Sequence, residues 1–266
     1  MRGKTCLITG AGTSVGREVA RNLAKMGAVV VIAGADFGLL EETRSSIHSQ
    51  LPQAALDPIN LDMSKRLSLL DFFGVFGERH DRLDVIVNVI HRSSRTKIET
   101  EFGVDITWGM NVLGPFMVIR RLAEVMARTP PTRVVNVVSP YAGGMDLDDT
   151  DFDTRSYSGI KAYRQSMQAA RLMTYAAAGH LAIYGIMVNA CVPGVVRGDP
   201  GAGLLSNLLA MSPVAAAESP TWLATSPDAA AFSGRLVMGR QETKCKFRDG
   251  GVMQRVWETL EMQAAR

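Results

Sequence analysis

Thr5-Cys6-Leu7-Ile8-Thr9-Gly10-Ala11-Gly12-Thr13-Ser14-Val15-Gly16 is the stretch whose reading decides the fold. Its first five residues are a short apolar run that ends in glycine, the pattern of a fully buried strand. Val15, Val19, Leu23 and Met26 then recur at helical spacing, so a helix follows directly. Glycines between a strand and a helix let the backbone turn tightly and approach a ligand closely. The free N–H groups of the helix start point at the same place, which suits an anion such as a diphosphate.

Working outward, strands and helices alternate. Ala28–Ala33 reads as a second buried strand, Leu39–Ser49 as a helix, Ala54–Leu61 as a strand, and Ser64–Phe76 as a helix capped by Ser64. Leu83–Val87 is a strand, Val104–Arg128 a long helix, Arg133–Val138 a strand, Ser156–Ala178 a helix and Ala182–Ala190 a strand. Beyond Gly198 the pattern predicts helices at Leu204–Leu209 and Ala215–Leu223, then a last strand at Leu236–Met238. Repeated βαβ units imply an α/β fold, one doubly wound Rossmann-type domain over residues 1–266 with a central parallel sheet of about seven strands. Its ligand crevice is expected at the carboxyl ends of the strands. Segment 199–217 is the expected substrate lid, and its Gly, Ala, Leu and Met content suits an apolar ligand. The acidic run Asp146–Asp153 reads as solvated surface.

Composition bounds the function classes. The net charge of +3 is spread along the chain, so no basic stripe suggests nucleic acid or a membrane surface. The most apolar segment, Leu181–Val196, is broken by Pro193 and Gly194 and is too short to span a bilayer. Cys6, Cys191 and Cys245 lie far apart and form no metal or redox spacing. Their odd number, with no signal peptide, predicts a reducing, cytoplasmic location.

The glycine loop resembles the T-G-x-x-x-G-x-G loop of short-chain dehydrogenases/reductases, with Ser14 in place of the middle glycine. The resemblance runs from Lys4 to about Lys246 and implies NAD or NADP as cofactor, with Gly10, Thr13, Ser14, Val15 and Gly16 at the diphosphate. Asp62 stands where the family binds the adenine amino group, flanked by Leu61. Asn88 and Val89 match the start of the family's N-N-A-G, whose remainder has become Ile90-His91; His91 reads as a surface loop residue. At the end of the second strand the usual ribose determinants are replaced by Gly34 and Ala35. Asp36 follows and is within reach of a ribose hydroxyl, which favours NAD mildly.

At the catalytic end, Thr132–Ser139 resembles the family's fifth strand and catalytic serine, Ser139. Asn111, in Gly109-Met110-Asn111-Val112-Leu113-Gly114-Pro115, resembles the active-site asparagine. Pro115 has no N–H, so the carbonyl four residues back, that of Asn111, is left free. In the family that carbonyl holds a water in a proton relay. The family also needs Tyr-x-x-x-Lys on one helix face. Tyr157-Ser158-Gly159-Ile160-Lys161 has the literal motif, whereas Tyr163-Arg164-Gln165-Ser166-Met167 has methionine at the lysine position. Six residues apart, the two tyrosines are turned well away from each other, so only one faces Ser139. The reading takes Tyr163. Its surroundings resemble the A-Y-x-x-S-K of retinol dehydrogenase-like members, and Pro193 lies 26 residues beyond Met167 but 32 beyond Lys161. The turn Pro193-Gly194-Val195 resembles the nicotinamide-side P-G-x-x-x-T, with Gly198 replacing the threonine. The tail Ser233-Gly234-Arg235 is again similar to that branch.

These matches imply an NAD(P)H-dependent oxidoreductase that reduces a carbonyl or imine of a small apolar molecule, with Asn111, Ser139 and Tyr163 catalytic. In the family the lysine bonds the nicotinamide ribose and lowers the tyrosine pKa; Met167 stands at that cofactor position but offers neither charge nor N–H, so the catalytic site reads as degenerate. With a free-tyrosine pKa near ~10, oxidation suffers most, since it needs the phenolate; reduction needs only the neutral phenol. The alternative is a scaffold of this family that binds cofactor or ligand without redox turnover, as a regulatory protein or for chemistry such as cyclisation. The resemblance also implies pairing through the two long helices, as a homodimer or homotetramer.

Overall fold

Along each central strand, alternate side chains enter one or other of two apolar cores, as a sheet covered on both faces requires. The computed structural model describes residues 1–89, 91–196 and 210–266. In β1 (Thr5–Thr9) Leu7 joins one core while Cys6 and Ile8 join the other. In β4 (Val85–Asn88) Ile86 opposes Val85 and Val87 in the same way. The remaining strands are β2 (Val29–Gly34), β3 (Ala55–Asn60), β5 (Thr132–Val137), β6 (Ile186–Val192), β7 (Leu236–Met238) and β8 (Gln241–Glu242). Their order is β3-β2-β1-β4-β5-β6-β7-β8, parallel throughout except for the antiparallel β7–β8 pair. The sheet thus has seven parallel strands and a short eighth. The order reverses between β1 and β4, which opens the ligand crevice above their carboxyl ends.

One face is covered by α1 (Ser14–Lys25) and α2 (Phe37–His48), joined beyond α7 (Pro213–Ala216) by α8 (Glu218–Thr225). The other is covered by α3 (Arg66–Arg79), α4 (Ile106–Trp108), α5 (Gly114–Met126) and α6 (Gly159–His180). A further helix, α9 (Gly250–Ala264), was not anticipated in the sequence, although Val252, Met253, Val256, Trp257 and Leu260 recur at helical spacing. It lies across α5 and α6. Trp257 meets Phe116 edge-on at 5.0 Å and stacks on His180 at 4.1 Å. Trp108 Nε1 donates to Gln263 Oε1 at 2.8 Å, and Arg120 pairs with Glu261 at 2.9 Å. This part of the surface of the two long helices, implied for pairing, is therefore covered by the chain itself.

Several local expectations are corrected. Ser64 is not the cap of α3: Lys65 precedes the helix, and Ser64 instead donates its hydroxyl to Asp62 Oδ1 at 2.6 Å. The strand expected from Ala182 begins at Ile186, because Ala182–Tyr184 forms a 3₁₀ turn closed by Gly185 in the left-handed region. The long helix is interrupted by a π turn at Gly109–Leu113. The acidic run is solvated only in part: Asp148 and Asp153 are exposed, whereas Asp149 forms a folded hub. Asp149 is buried and accepts from Asp153 N, Thr154 and Arg155, while Asp151 accepts the Asp105 N–H at 2.7 Å. Despite the cost of burial, these bonds hold the Asp149 pKa down at about 2. The expected helix Leu204–Leu209 lies outside the described residues, as does most of the expected lid. Burial pushes the Cys6 thiol up to about 12 and the Cys191 thiol higher, so both are protonated packing residues. Among the described residues no helix is long and apolar enough to cross a membrane.

Asp84 ties the base of the sheet together. It is buried and accepts from Lys4 Nζ at 2.9 Å, from the Thr5 N–H at 2.9 Å and from Arg82 Nε at 2.6 Å. Desolvation opposes its charge, but these donors outweigh it and the pKa is lowered. A lowered carboxylate pKa means that the unfolded chain binds the extra proton. The contribution is therefore present above the ordinary value near pH ~4 and is lost as pH falls below it. Asp84→Asn is expected to cost about 2 kcal/mol at pH 7 and to flatten the acid limb of stability, measured by urea unfolding from pH 3 to 7.

Candidate active site

The glycine loop is built by backbone contacts that admit no side chain. Gly10 has φ +70°, a left-handed conformation. A Cβ on Gly16 would collide with the Gly10 carbonyl oxygen and lie 3.0 Å from Ala11 Cα. Thr13 caps α1: its hydroxyl accepts the Gly16 N–H at 3.1 Å and donates to Gly10 O at 2.8 Å. Ala11 is fixed from both sides, its N–H on Ala33 O and its carbonyl on the Thr43 hydroxyl. Ser14 is exposed and Val15 buried at the helix start, where backbone N–H groups lack partners within the helix. The cradle fits the diphosphate of a dinucleotide.

At the adenosine end, Ala35 is exposed and accepts from Asn60 Nδ2 at 3.0 Å. Asp36 is the N-cap of α2, with Oδ1 on the Leu39 N–H at 3.2 Å. Leu61 is buried and its N–H donates to Gly34 O. Asp62 has Oδ1 on Ser64 and Oδ2 3.6 Å from Lys65 Nζ. Ala35 and Asp62 share a cleft of about 440 Å³ with Phe37, Asn60 and Lys65. On the opposite side, the Pro193-Gly194-Val195 turn is closed by Met211, whose N–H donates to Val195 O at 2.8 Å. Gly194 has φ +106°, and a Cβ there would strike Met211 Sδ. Arg197, Gly198 and Ile90 lie outside the described residues.

A row of buried amides and hydroxyls crosses the carboxyl ends of the strands. Thr9 Oγ1 donates to Asn88 Oδ1 at 2.8 Å, and Asn88 Nδ2 donates to Asn136 Oδ1 at 2.8 Å. Asn136 Nδ2 then donates to Thr174 Oγ1 on α6 at 2.9 Å. Asn88 is thus spent on holding β1, β4 and β5 level, while the Val89 N–H continues the ladder to Thr9 O. Asn111 does similar work for the loop after β4. Its amide brackets Arg92, accepting the N–H at 2.7 Å and donating to the carbonyl at 2.8 Å. It also donates to Ser166 Oγ at 2.9 Å, and Ser166 Oγ in turn donates to Tyr163 O. Within the π turn the Gly114 N–H pairs with Gly109 O, five residues back, so the four-residue count applied to Pro115 does not hold there. Asn88, Asn111, Pro115 and Asn136 nonetheless border a cavity of about 10 Å³, room for one water.

Ser139, Tyr163 and Met167 meet on the buried face of α6. Ser139 and Met167 are each 1 % exposed, and the Ser139 N–H donates to Met167 Sδ at 3.3 Å. Tyr163, also 1 % exposed, is one turn earlier on the same face. His91 is part of this site rather than a surface residue: its ring meets that of Tyr163 edge-on at 6.3 Å, and Nε2 is 3.1 Å from Val137 O. Tyr157 lies elsewhere, packed on Phe152 with its hydroxyl 3.3 Å from Ser94 O, and Lys161 is exposed. One turn past Met167, the buried Arg171 donates from Nη2 to the Ser139 carbonyl at 2.6 Å. Desolvation depresses its pKa. Sequence reasoning missed Arg171, Asn136 and Thr174. The signal for Arg171 was its place four residues after Met167; the other two become polar partners only when the sheet is assembled.

Residues 4–206 match the family model described as short chain dehydrogenase. Human retinol dehydrogenase 13 is 30 % identical over 96 % of this chain and 82 % of its own length. Mouse polyprenol dehydrogenase is 28 % identical over 99 % of this chain and 84 % of its own. Among solved structures, an uncharacterized protein from Mycobacterium paratuberculosis matches 99 % of this chain and 94 % of its own with a TM-score of 0.79 at 23 % identity. YwfH, an NADPH dependent reductase involved in bacilysin biosynthesis, matches 90 % and 99 % with a TM-score of 0.68 at 19 % identity. A glycine cradle open only to backbone, a sheet reversing direction beside it and a match over three quarters of the length lead to one assignment: the chain belongs to the NAD(P)-binding short-chain dehydrogenases/reductases, in their retinol dehydrogenase-like branch.

Proposed function

We propose that this oxidoreductase reduces the carbonyl of a small apolar molecule with NAD(P)H, and that Tyr163 is the proton donor. The observation that carries the reading is the contact between Met167 Sδ and the Ser139 N–H, because it brings the helix face bearing Tyr163 against the serine. When bound, the cofactor supplies the hydride. Ser139 holds the substrate oxygen, and the Tyr163 phenol gives it a proton in its neutral form, without a lysine. Asn111 positions the loop through Arg92, and the water-sized cavity beside it suits proton resupply. The named substrates of relatives, retinol and polyprenol, support an apolar ligand. Calorimetric titration with NADH, NADPH and their oxidised forms tests the reading. Micromolar binding of a reduced form is expected, and binding of none of the four overturns it. The same titration reads the cofactor preference, which Ala35 and the cap residue Asp36 leave open.

The Met167 geometry also favours a second reading, a degenerate site that binds cofactor or ligand without redox turnover. The sulfur accepts an N–H from the serine, whereas a lysine ammonium can only donate. Met167→Lys therefore separates the two. A gain of about tenfold or more in carbonyl reduction supports a reductase impaired at this position, and loss of a native non-redox activity supports reuse of the site.

A further inference from the structure

The loop after Ser139 and the start of α6 border a cleft of about 370 Å³ lined by Gly143, Gly144, Arg155, Ile160, Lys161 and Arg164. Three of its six lining residues are cations and none is acidic. Arg155 is anchored by Asp149 at 3.0 Å, with Asp146 at 3.8 Å. Lys161 and Arg164 are exposed, and among the described residues neither pairs with a carboxylate. Lys161 sits in the first turn of this 22-residue helix, whose positive end favours acids, and that turn has none. Gly143 is buried beneath the Arg164 guanidinium and Phe247: a Cβ there would lie 3.5 Å from Arg164 Nη2 and 3.7 Å from Phe247 Cζ. The Gly143 N–H donates to Arg164 O at 3.0 Å, which holds the loop against the helix. Ile160, 65 % exposed, supplies one apolar wall.

We infer that this cleft binds a phosphate or diphosphate group, and that the group belongs to the substrate, an apolar carbonyl compound with a phosphorylated end. With Arg155 already spent on Asp149, Asp146 and Gln165, Lys161 and Arg164 are the two cations left to an oxyanion, and the Arg164 guanidinium matches phosphate geometry in particular. The anion site stands on the cleft alone; its assignment to the substrate rests on the reductase reading.

The test titrates the full chain with inorganic pyrophosphate at low ionic strength, beside Lys161→Gln/Arg164→Gln and the remote charge control Lys25→Gln. Binding by the wild type and by Lys25→Gln, weakened at least about tenfold in the double variant with NAD(P)H affinity retained, is the expected result. No binding by the wild type, or equal binding by the double variant, overturns the site; equal binding would mean that the glycine loop holds the ion. The second arm compares KM for an aliphatic aldehyde and its ω-phosphorylated counterpart. A lower KM for the phosphorylated compound that disappears in the double variant supports a substrate tail. Equal KM values despite pyrophosphate binding overturn that assignment and leave a site for free phosphate. Turnover of neither aldehyde, without nucleotide binding, is failure of the reductase reading and leaves the pyrophosphate arm decisive for the cleft.

Discussion

Tyr163→Phe is expected to lower kcat for carbonyl reduction by about 10²–10⁴-fold, the range of a general acid, with nucleotide affinity unchanged. The substitution keeps the ring, which is 1 % exposed and packs edge-on against His91, and removes only the hydroxyl. Steady-state kinetics on the purified variant read the effect, with calorimetry as the control for cofactor binding. Tyr157→Phe is the matched comparison, because Tyr157 belongs to the literal Tyr-x-x-x-Lys motif yet holds the Ser94 carbonyl instead. A large loss in Tyr157→Phe with none in Tyr163→Phe would reverse the assignment of the acid.

Gly16→Ala is expected to weaken NAD(P)H binding by about a hundredfold or more and to lower stability by about 1–3 kcal/mol, the usual cost of overpacking. The new methyl group meets the Gly10 carbonyl and the Ala11 backbone, and backbone cannot rotate away as a side-chain tip can. The loop can only move outward, which spoils the cradle. Moving it also disturbs Ala11, which is bonded to β2 and to Thr43. Gly77→Ala is the control, since open space surrounds that position in α3 and alanine is the better helix former. Calorimetry for the nucleotide and thermal unfolding for stability check both parts. Wild-type affinity in Gly16→Ala would show that the dinucleotide does not use this loop.

The central strands β1, β2 and β4 were legible because each carries an apolar run, and burial on both faces of a parallel sheet demands one, whereas the exposed β8, Gln241–Glu242, has none and was not foreseen. The boundaries failed where local chemistry intervened. Ser64 turned back to Asp62, a competition of side chain with helix that spacing does not reveal. Helix α9 was missed although Val252, Met253, Val256, Trp257 and Leu260 carry the helical period; the structure adds only that this face packs on α5 and α6. In the site, Gly10, Thr13 and Gly16 were readable because the turn admits few alternatives. Asn88 was readable as a position, whereas its work as a link between Thr9 and Asn136 was not. His91 was misread because only the chain path brings it back onto Tyr163.

The sequence by itself determined the doubly wound α/β architecture and the tight glycine turn between β1 and α1, since strand periodicity and glycine placement are local and obey short-range sterics. Sequence spacing had already selected Tyr163 over Tyr157; only the tertiary structure decided what Met167 does beside Ser139 and that Arg171 reaches the serine carbonyl. It also decided that Lys161 and Arg164 share a cleft with Gly143 and Arg155. The physical reason is range: these relations join β5, its following loop and α6 through packing and hydrogen bonds between residues up to 32 apart in sequence, and no local pattern encodes a partner at that distance.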